Sequence, residues 1–177
     1  MTRSIKPHQS AAYGGDGWSP RQTRLGQELG GIWSACGQNS EYATLKRILL
    51  HPPYGDMIGE GSDPNQMQLL APVDARLAAK QHASMAAAYV GAGISVEWIE
   101  PQCTPVPFNL MFAADLFFMT PEGAILARPA SMVRAGEERE AAARLAQLGI
   151  PILRSVSGGG TFEGADAMWL DPQTVLL

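Results

Sequence analysis

Residues 114–126 read ADLFFMTPEGAIL, and residues 165–177 read ADAMWLDPQTVLL. Ala, Asp, the internal Pro and the final Leu stand at the same places in both, and aromatic or large apolar residues follow the Asp. In the first copy Thr120-Pro121-Glu122-Gly123 separates two apolar runs, with proline and glycine where a type I turn wants them. A β-hairpin is predicted there, and the echo predicts a second. Each copy has a phenylalanine a few residues upstream, Phe112 and Phe162.

Outward from the first hairpin, residues 137–148 are predicted as a helix. Ala141, Leu145 and Leu148 share one face, acids crowd the first turn, and Gly149 can end it. A strand follows over residues 150–156, IPILRSV. Upstream, TLKRILLH at 44–51 is a predicted strand stopped by Pro52-Pro53. A loop rich in Gly, Asp, Pro and Asn runs from about residue 54 to 64, and an alanine-rich helix is predicted over 74–90. Gly91 and Gly93 mark its end, and ISVEWI at 94–99 alternates like a strand. Gly93-Ile94 and Gly149-Ile150 thus mark the same step from helix into strand. The order hairpin, helix, strand predicts an α/β fold built from repeated ββαβ units. Residues 1–40, rich in Gly, Ser and Gln, are predicted as an irregular arm anchored by Trp18 and Trp33 over a body at 41–177.

After the second hairpin, residues 165–177, no second helix and strand follow. Unpaired strands leave open edges and exposed apolar area. The expectation is therefore the N-terminal part of a longer protein, or a chain closed by a partner or by self-association through its edges.

Composition narrows the function. With 46% hydrophobic and 17% charged residues the chain is globular in character. A net charge of -4 without a Lys/Arg run speaks against a nucleic-acid partner. No apolar stretch is long enough to span a bilayer, and the first residues lack the apolar core of a secretory signal, so a cytoplasmic protein is expected. The two cysteines, Cys36 and Cys103, form no CxxC pair. A zinc site or disulfide framework is not expected, and no cofactor or metal enters the reading.

Five residues are candidates for chemistry. Asp115 stands between NLMFAA and LFFM, where a charge is costly to bury without a partner. It reads as a carboxylate awaiting a cationic ligand, or as a turn residue paired with an arginine. Asp166 holds the matching position, so a repeat around an axis would aim both acids at one centre. Glu163 lies in GTFEGAD, residues 160–166, its neighbouring glycines free to direct it into a site; a solvated loop glutamate is the alternative. Arg134 can hold a carboxylate with two prongs, or form an ordinary ion pair with Glu137 or Glu138. Asn109 can bond a ligand or close a turn. The glycines of SVSGGGTFEG lack the GK[ST] of a phosphate loop. Cys36 and Cys103 read as inert; His51 and His82 read as a strand-end and a helix-surface residue.

Together, NLMFAADLFFMTPEGAILARPASMVRAGEE and GTFEGAD resemble the guanidine-modifying enzymes of the pentein fold: arginine deiminases, dimethylarginine dimethylaminohydrolases and amidinotransferases. That family shows an Asn, an Asp ending an F-x-R-D motif, an R-x-x-E and an F-E-G-G-D. SEYATLKRILLHPP is similar to its first strand, which ends near a His-Pro. The resemblance covers about residues 40–177. It implies a ring of five ββαβ units, a partial α/β propeller of which this chain supplies about two and a half. It implies that Asp115 binds guanidinium nitrogens, Glu163 orients a catalytic histidine, Asn109 and Arg134 hold a substrate carboxylate, and Asp166 supports the site or touches substrate. Ala114 departs from the family's arginine, and Ala165 from its second glycine. The family's catalytic histidine and cysteine come later in the chain, and neither Cys36 nor Cys103 matches the nucleophile.

The chemistry implied is attack of a cysteine thiolate on a guanidinium carbon held protonated by carboxylates. The expected function is a guanidino-group hydrolase acting on arginine or a derivative through a Cys-amidino intermediate, with this chain supplying the cation-binding carboxylates and inactive alone. An amidinotransferase is the alternative within the family. A non-catalytic binding module is the alternative outside it, since ribosome anti-association factors use the same fold without chemistry.

Overall fold

The computed structural model describes residue 15 and residues 17–53 and 63–177. Most of the 54–64 loop and the first part of the arm lie outside them. Seven strands fall into three sheets among the described residues. The first pairs β1, Arg47–Leu50, with β2, Ser95–Trp98, in parallel, Arg47 opposite Ser95 and Leu50 opposite Trp98. A short helix near the start, α1 (Leu25–Glu28), precedes them, and α2 (Ala75–Gly91) makes the crossover between β1 and β2. Asp74, expected as the first helical residue, instead caps the helix by accepting the Leu77 N–H at 2.9 Å.

The second sheet is built around the predicted hairpin. β3, Phe117–Thr120, and β4, Gly123–Leu126, pair antiparallel across Pro121-Glu122, and β5, Ile152–Ser155, joins β4 in parallel after α3, Glu137–Gln147. This is one complete ββαβ unit. The third sheet is the second hairpin, β6 (Met168–Asp171) with β7 (Thr174–Leu176). Its strands occupy the positions that the echo assigns to β3 and β4.

The echo reaches side chains too. Phe118 and Trp169, equivalent in the two copies, stack on each other at 5.4 Å between ring centroids, and the Trp169 indole donates to the Met119 carbonyl at 3.2 Å. The two helix ends also match. Gly93 and Gly149 have φ of 78° and 70°, and the following residue bonds back to the helix, Ile94 to Tyr89 at 3.0 Å and Ile150 to Leu145 at 2.9 Å. That is the glycine-terminated stop expected where a helix turns into a strand.

One expectation is corrected. Asp115 and Asp166 are not strand residues. Each lies in a single 3₁₀ turn just before its hairpin, Ala113–Leu116 and Gly164–Asp166. The alternation visible in ADLFFM begins too early, because a short turn and a strand cannot be told apart over so few residues.

The core lies between α3 and the strands. Ala141 and Leu145 are fully buried one helical turn apart. Ala141 packs with Ile99, Leu110, Ala113 and Leu116; Leu145 packs with Ala124, Leu126 and Ile150. Phe117 and Leu49 touch both groups and join them. Backbone helps to hold the arm: the Ser34 N–H bonds the Gly149 carbonyl at 2.9 Å, and Trp33 is half-buried while Trp18 is 43% exposed. No helix among the described residues is long and apolar enough to cross a membrane.

Candidate guanidinium site

The buried side chain that organises this region is Arg134. It ends a 3₁₀ turn, Met132–Arg134, whose first N–H groups are capped by Ser131, the Val133 N–H donating to its Oγ at 3.3 Å. The chain then bends into α3, so that Arg134 folds back on Glu137, three residues ahead. Nε donates to Glu137 Oε2 at 2.9 Å and Nη2 lies 2.9 Å from the same oxygen. Nη2 also donates to the carbonyls of Asn109 and Phe112, each at 3.3 Å, and the guanidinium carbon lies 5.9 Å from the Phe112 ring centre. Nη1 points the other way. It donates to Asp115 Oδ2 at 2.5 Å and lies 3.6 Å from Glu163 Oε2.

Four of the five candidate residues are thus brought together: Asn109, Asp115, Arg134 and Glu163. Asn109 is buried and meets Arg134 through its main-chain oxygen. Asp166 is not in the cluster. It is exposed, and its N–H closes the turn by donating to the Glu163 carbonyl at 3.1 Å. Glu137, weighed from the sequence only as an ordinary ion-pair partner, is a full member and completely buried. The readable signal for it was the three-residue spacing from Arg134.

The stretch GTFEGAD is delivered to Arg134 by two local devices. Phe162 and Arg128 exchange backbone hydrogen bonds at 2.9 and 3.0 Å, and the Arg128 side chain donates to the Gly160 carbonyl at 2.9 Å. Gly164 then passes so close to the turn before β3 that a Cβ would stand 2.1 Å from the Phe117 carbonyl oxygen and 2.6 Å from that of Ala114. Only glycine allows this approach, which sets Glu163 beside Asp115.

The electrostatics are unbalanced. One guanidinium faces three carboxylates. Burial works against the charge of Arg134, but Asp115 and Glu137 outweigh it and hold its pKa above the usual value. Glu137 is pushed up to about 7, first by burial and then by the like charges of Glu138 and Asp115, with Arg134 opposing. The Asp115 and Glu163 side chains keep 19% and 30% of their exposure, so both remain open to solvent on the Nη1 side. Such a pair can take a further planar cation by charge-assisted hydrogen bonds.

The other candidate nucleophiles and bases lie elsewhere. Burial raises the thiol pKa of Cys36, and burial together with Glu140 raises that of Cys103. His51 is buried at the end of β1 against the Ile99 carbonyl, at 3.0 Å. His82, expected on the helix surface, is half-buried against Trp98 with Nε2 enclosed; it lines an open cavity of about 920 Å³ with Cys103 and Val106, apart from the Arg134 cluster.

No protein-family model and no curated protein matches the chain. Solved structures do. A cysteine-to-serine mutant of DDAH from Pseudomonas aeruginosa, complexed with citrulline, is 22% identical with a TM-score of 0.56, over 71% of this chain and 47% of that one. A dimethylarginine dimethylaminohydrolase adduct with 4-chloro-2-hydroxymethylpyridine is 20% identical with a TM-score of 0.55, over 71% and 46%. AgrE in its binary complex with L-arginine is 21% identical with a TM-score of 0.56, over 70% of this chain and 18% of that one. The chain spans about half the length of the dimethylarginine dimethylaminohydrolases it matches. These likenesses show that the chain has the pentein fold.

Proposed function

We propose that the chain is the cation-binding part of a guanidino-group hydrolase of the dimethylarginine dimethylaminohydrolase and arginine deiminase kind. The observation that carries this reading is the open carboxylate pair, Asp115 and Glu163, both facing one nitrogen of a buried guanidinium. In this reading a ligand guanidinium lies against Asp115, Glu163 stands ready to orient a histidine, and Arg134 and Asn109 border the end where a ligand carboxylate would sit. Asp166 supports the turn that presents Glu163. Of the neighbours' ligands, L-arginine carries the matching guanidinium cation, and citrulline is its uncharged ureido counterpart.

The units present, a βαβ layer, one ββαβ unit and a further hairpin, are read as about two and a half of five propeller units. Neither Cys36 nor Cys103 is read as the nucleophile: burial raises both thiol pKa values, and both lie apart from the Arg134 cluster. Thiolate and histidine would come from the remainder of the ring, which would also cover the open edge of β7; self-association through that edge is the alternative closure. The raised thiol pKa values of Cys36 and Cys103 also favour a second reading, a module that binds guanidines without turning them over.

Calorimetric titration with arginine, monomethylarginine and agmatine tests the site. Binding by the wild-type chain, weakened at least tenfold in Asp115→Asn and in Glu163→Gln, is expected. Equal binding by wild type and both variants, or none at all, would refute it. Citrulline released from arginine by this chain alone would refute the assignment of the nucleophile elsewhere.

A further inference from the structure

The carboxyl of Glu137 is completely enclosed, yet its two oxygens are used unequally. Oε2 accepts from Nε of Arg134 and lies 2.9 Å from Nη2, while Oε1 is buried with no hydrogen-bond partner among the described residues. An ionised oxygen left so is costly, and a protonated one costs far less. The surroundings point the same way. The groups facing Glu137 are Arg134 from the preceding turn, Asp115 from the turn before β3, Glu138 on its own helix, and Glu163 beyond the guanidinium. Arg134 is the one cation among them and is shared with Asp115.

We propose that Glu137 carries a proton on Oε1 in the ligand-free protein and releases it when a second guanidinium enters beside Asp115 and Glu163. The O–H bond of the carboxyl breaks, the electron pair stays on Glu137, and the proton passes to buffer. The incoming cation engages the carboxylates on the Nη1 side. Arg134 is then less drawn to them and serves Glu137 more fully, so the anion becomes tolerable. Glu137 is a positioning residue in this scheme: it holds Arg134 and touches no ligand. The inference deepens the guanidine reading and rests on it. Burial and the neighbouring acids, which push Glu137 up to about 7, agree with the geometry.

The test uses the full chain with carboxyl-carbon NMR and agmatine as the probe, the Glu137 signal being assigned by its loss in Glu137→Gln. In the ligand-free protein a titration midpoint near 7 is expected, falling by at least one pH unit when agmatine saturates the site. Calorimetry in phosphate and in Tris at pH 7 should detect proton release on binding by wild type and none by Glu137→Gln. Agmatine affinity should rise up to about tenfold from pH 6 to pH 8 in wild type and stay flat in the variant. A ligand-free midpoint below 5 overturns the proposal whether or not agmatine binds. A midpoint near 7 that bound agmatine leaves unmoved overturns it as well. If agmatine does not bind at all, release on binding is refuted too, and a midpoint still near 7 then places the fault in the guanidine reading rather than in the state of Glu137.

Discussion

Gly164→Ala should damage the molecule out of proportion to one methyl group. A Cβ at this position would stand 2.1 Å from the Phe117 oxygen, against the 3.4 Å at which ordinary contact begins. The obstructing atoms are backbone, so no side chain can rotate away, and the two turns must part by more than an ångström. Overpacking of this kind costs about 1–3 kcal/mol. For a chain of this size that corresponds to a fall in Tm of roughly 2–12 °C. The separation also carries Glu163 away from Nη1 of Arg134, now 3.6 Å distant. Gly159→Ala in the same glycine run is the control, since a Cβ there would meet nothing within 4 Å and the φ of Gly159 is not positive. Thermal and urea unfolding of the two variants beside wild type is the assay, with agmatine titration as the second readout. If Gly164→Ala melts within a degree of wild type and Gly159→Ala does not differ from it, the argument that this glycine docks GTFEGAD onto β3 is wrong.

Further outcomes follow from the same geometry. Arg134→Met should lose about 1–3 kcal/mol in urea unfolding, because it takes the Nε donor from the buried Glu137 Oε2 and leaves that acceptor unpaired. The double variant Arg134→Met/Glu137→Met should recover much of that loss, since an apolar pair needs no charge compensation. A carboxyl raised in the folded state contributes stability that is complete below its unfolded value, 4.5 here, and is lost as pH rises towards 7. Urea midpoints of wild type relative to Glu137→Gln should therefore decline from pH 5 to pH 8. His51 acts in the opposite sense: burial lowers its pKa, so its share of stability is present above 6.5 and lost as pH falls. His51→Gln should flatten the acid side of the profile, measured in the same urea series.

The parts of this fold that were legible in the sequence are those with a repeating signal. The hairpins were readable because two copies place alanine, aspartate, proline and leucine alike. The helices were readable because a glycine, then an isoleucine, ends α2 and α3 alike. Strand bounds were less so: the run at 44–51 pairs only over Arg47–Leu50, since a strand lasts as long as its partner does and β2 begins only at Ser95. The turns holding Asp115 and Asp166 were not legible as turns. A three- or four-residue 3₁₀ segment has no periodicity of its own, and its apolar neighbours continued the pattern of the strand.

The site shows the same division between residue type and geometry. That Asn109, Asp115, Arg134 and Glu163 belong together was readable from their order and chemistry. How they share hydrogen bonds was not. Two aspartates at matching positions of a repeat need not do matching work: Asp115 accepts from Arg134, while the exposed Asp166 closes its turn through its N–H on the Glu163 carbonyl. Glu137 was the harder case. Its three-residue spacing from Arg134 is shared by innumerable surface ion pairs, which contribute little. What separates it from them is burial: Glu137 is completely enclosed, and Ala141, one turn along α3, packs with Leu110, Ala113 and Leu116. An ion pair becomes a device for holding a cation site only when tertiary packing removes water from one of its partners. That step needs contacts between segments more than twenty residues apart, and no local pattern encodes it.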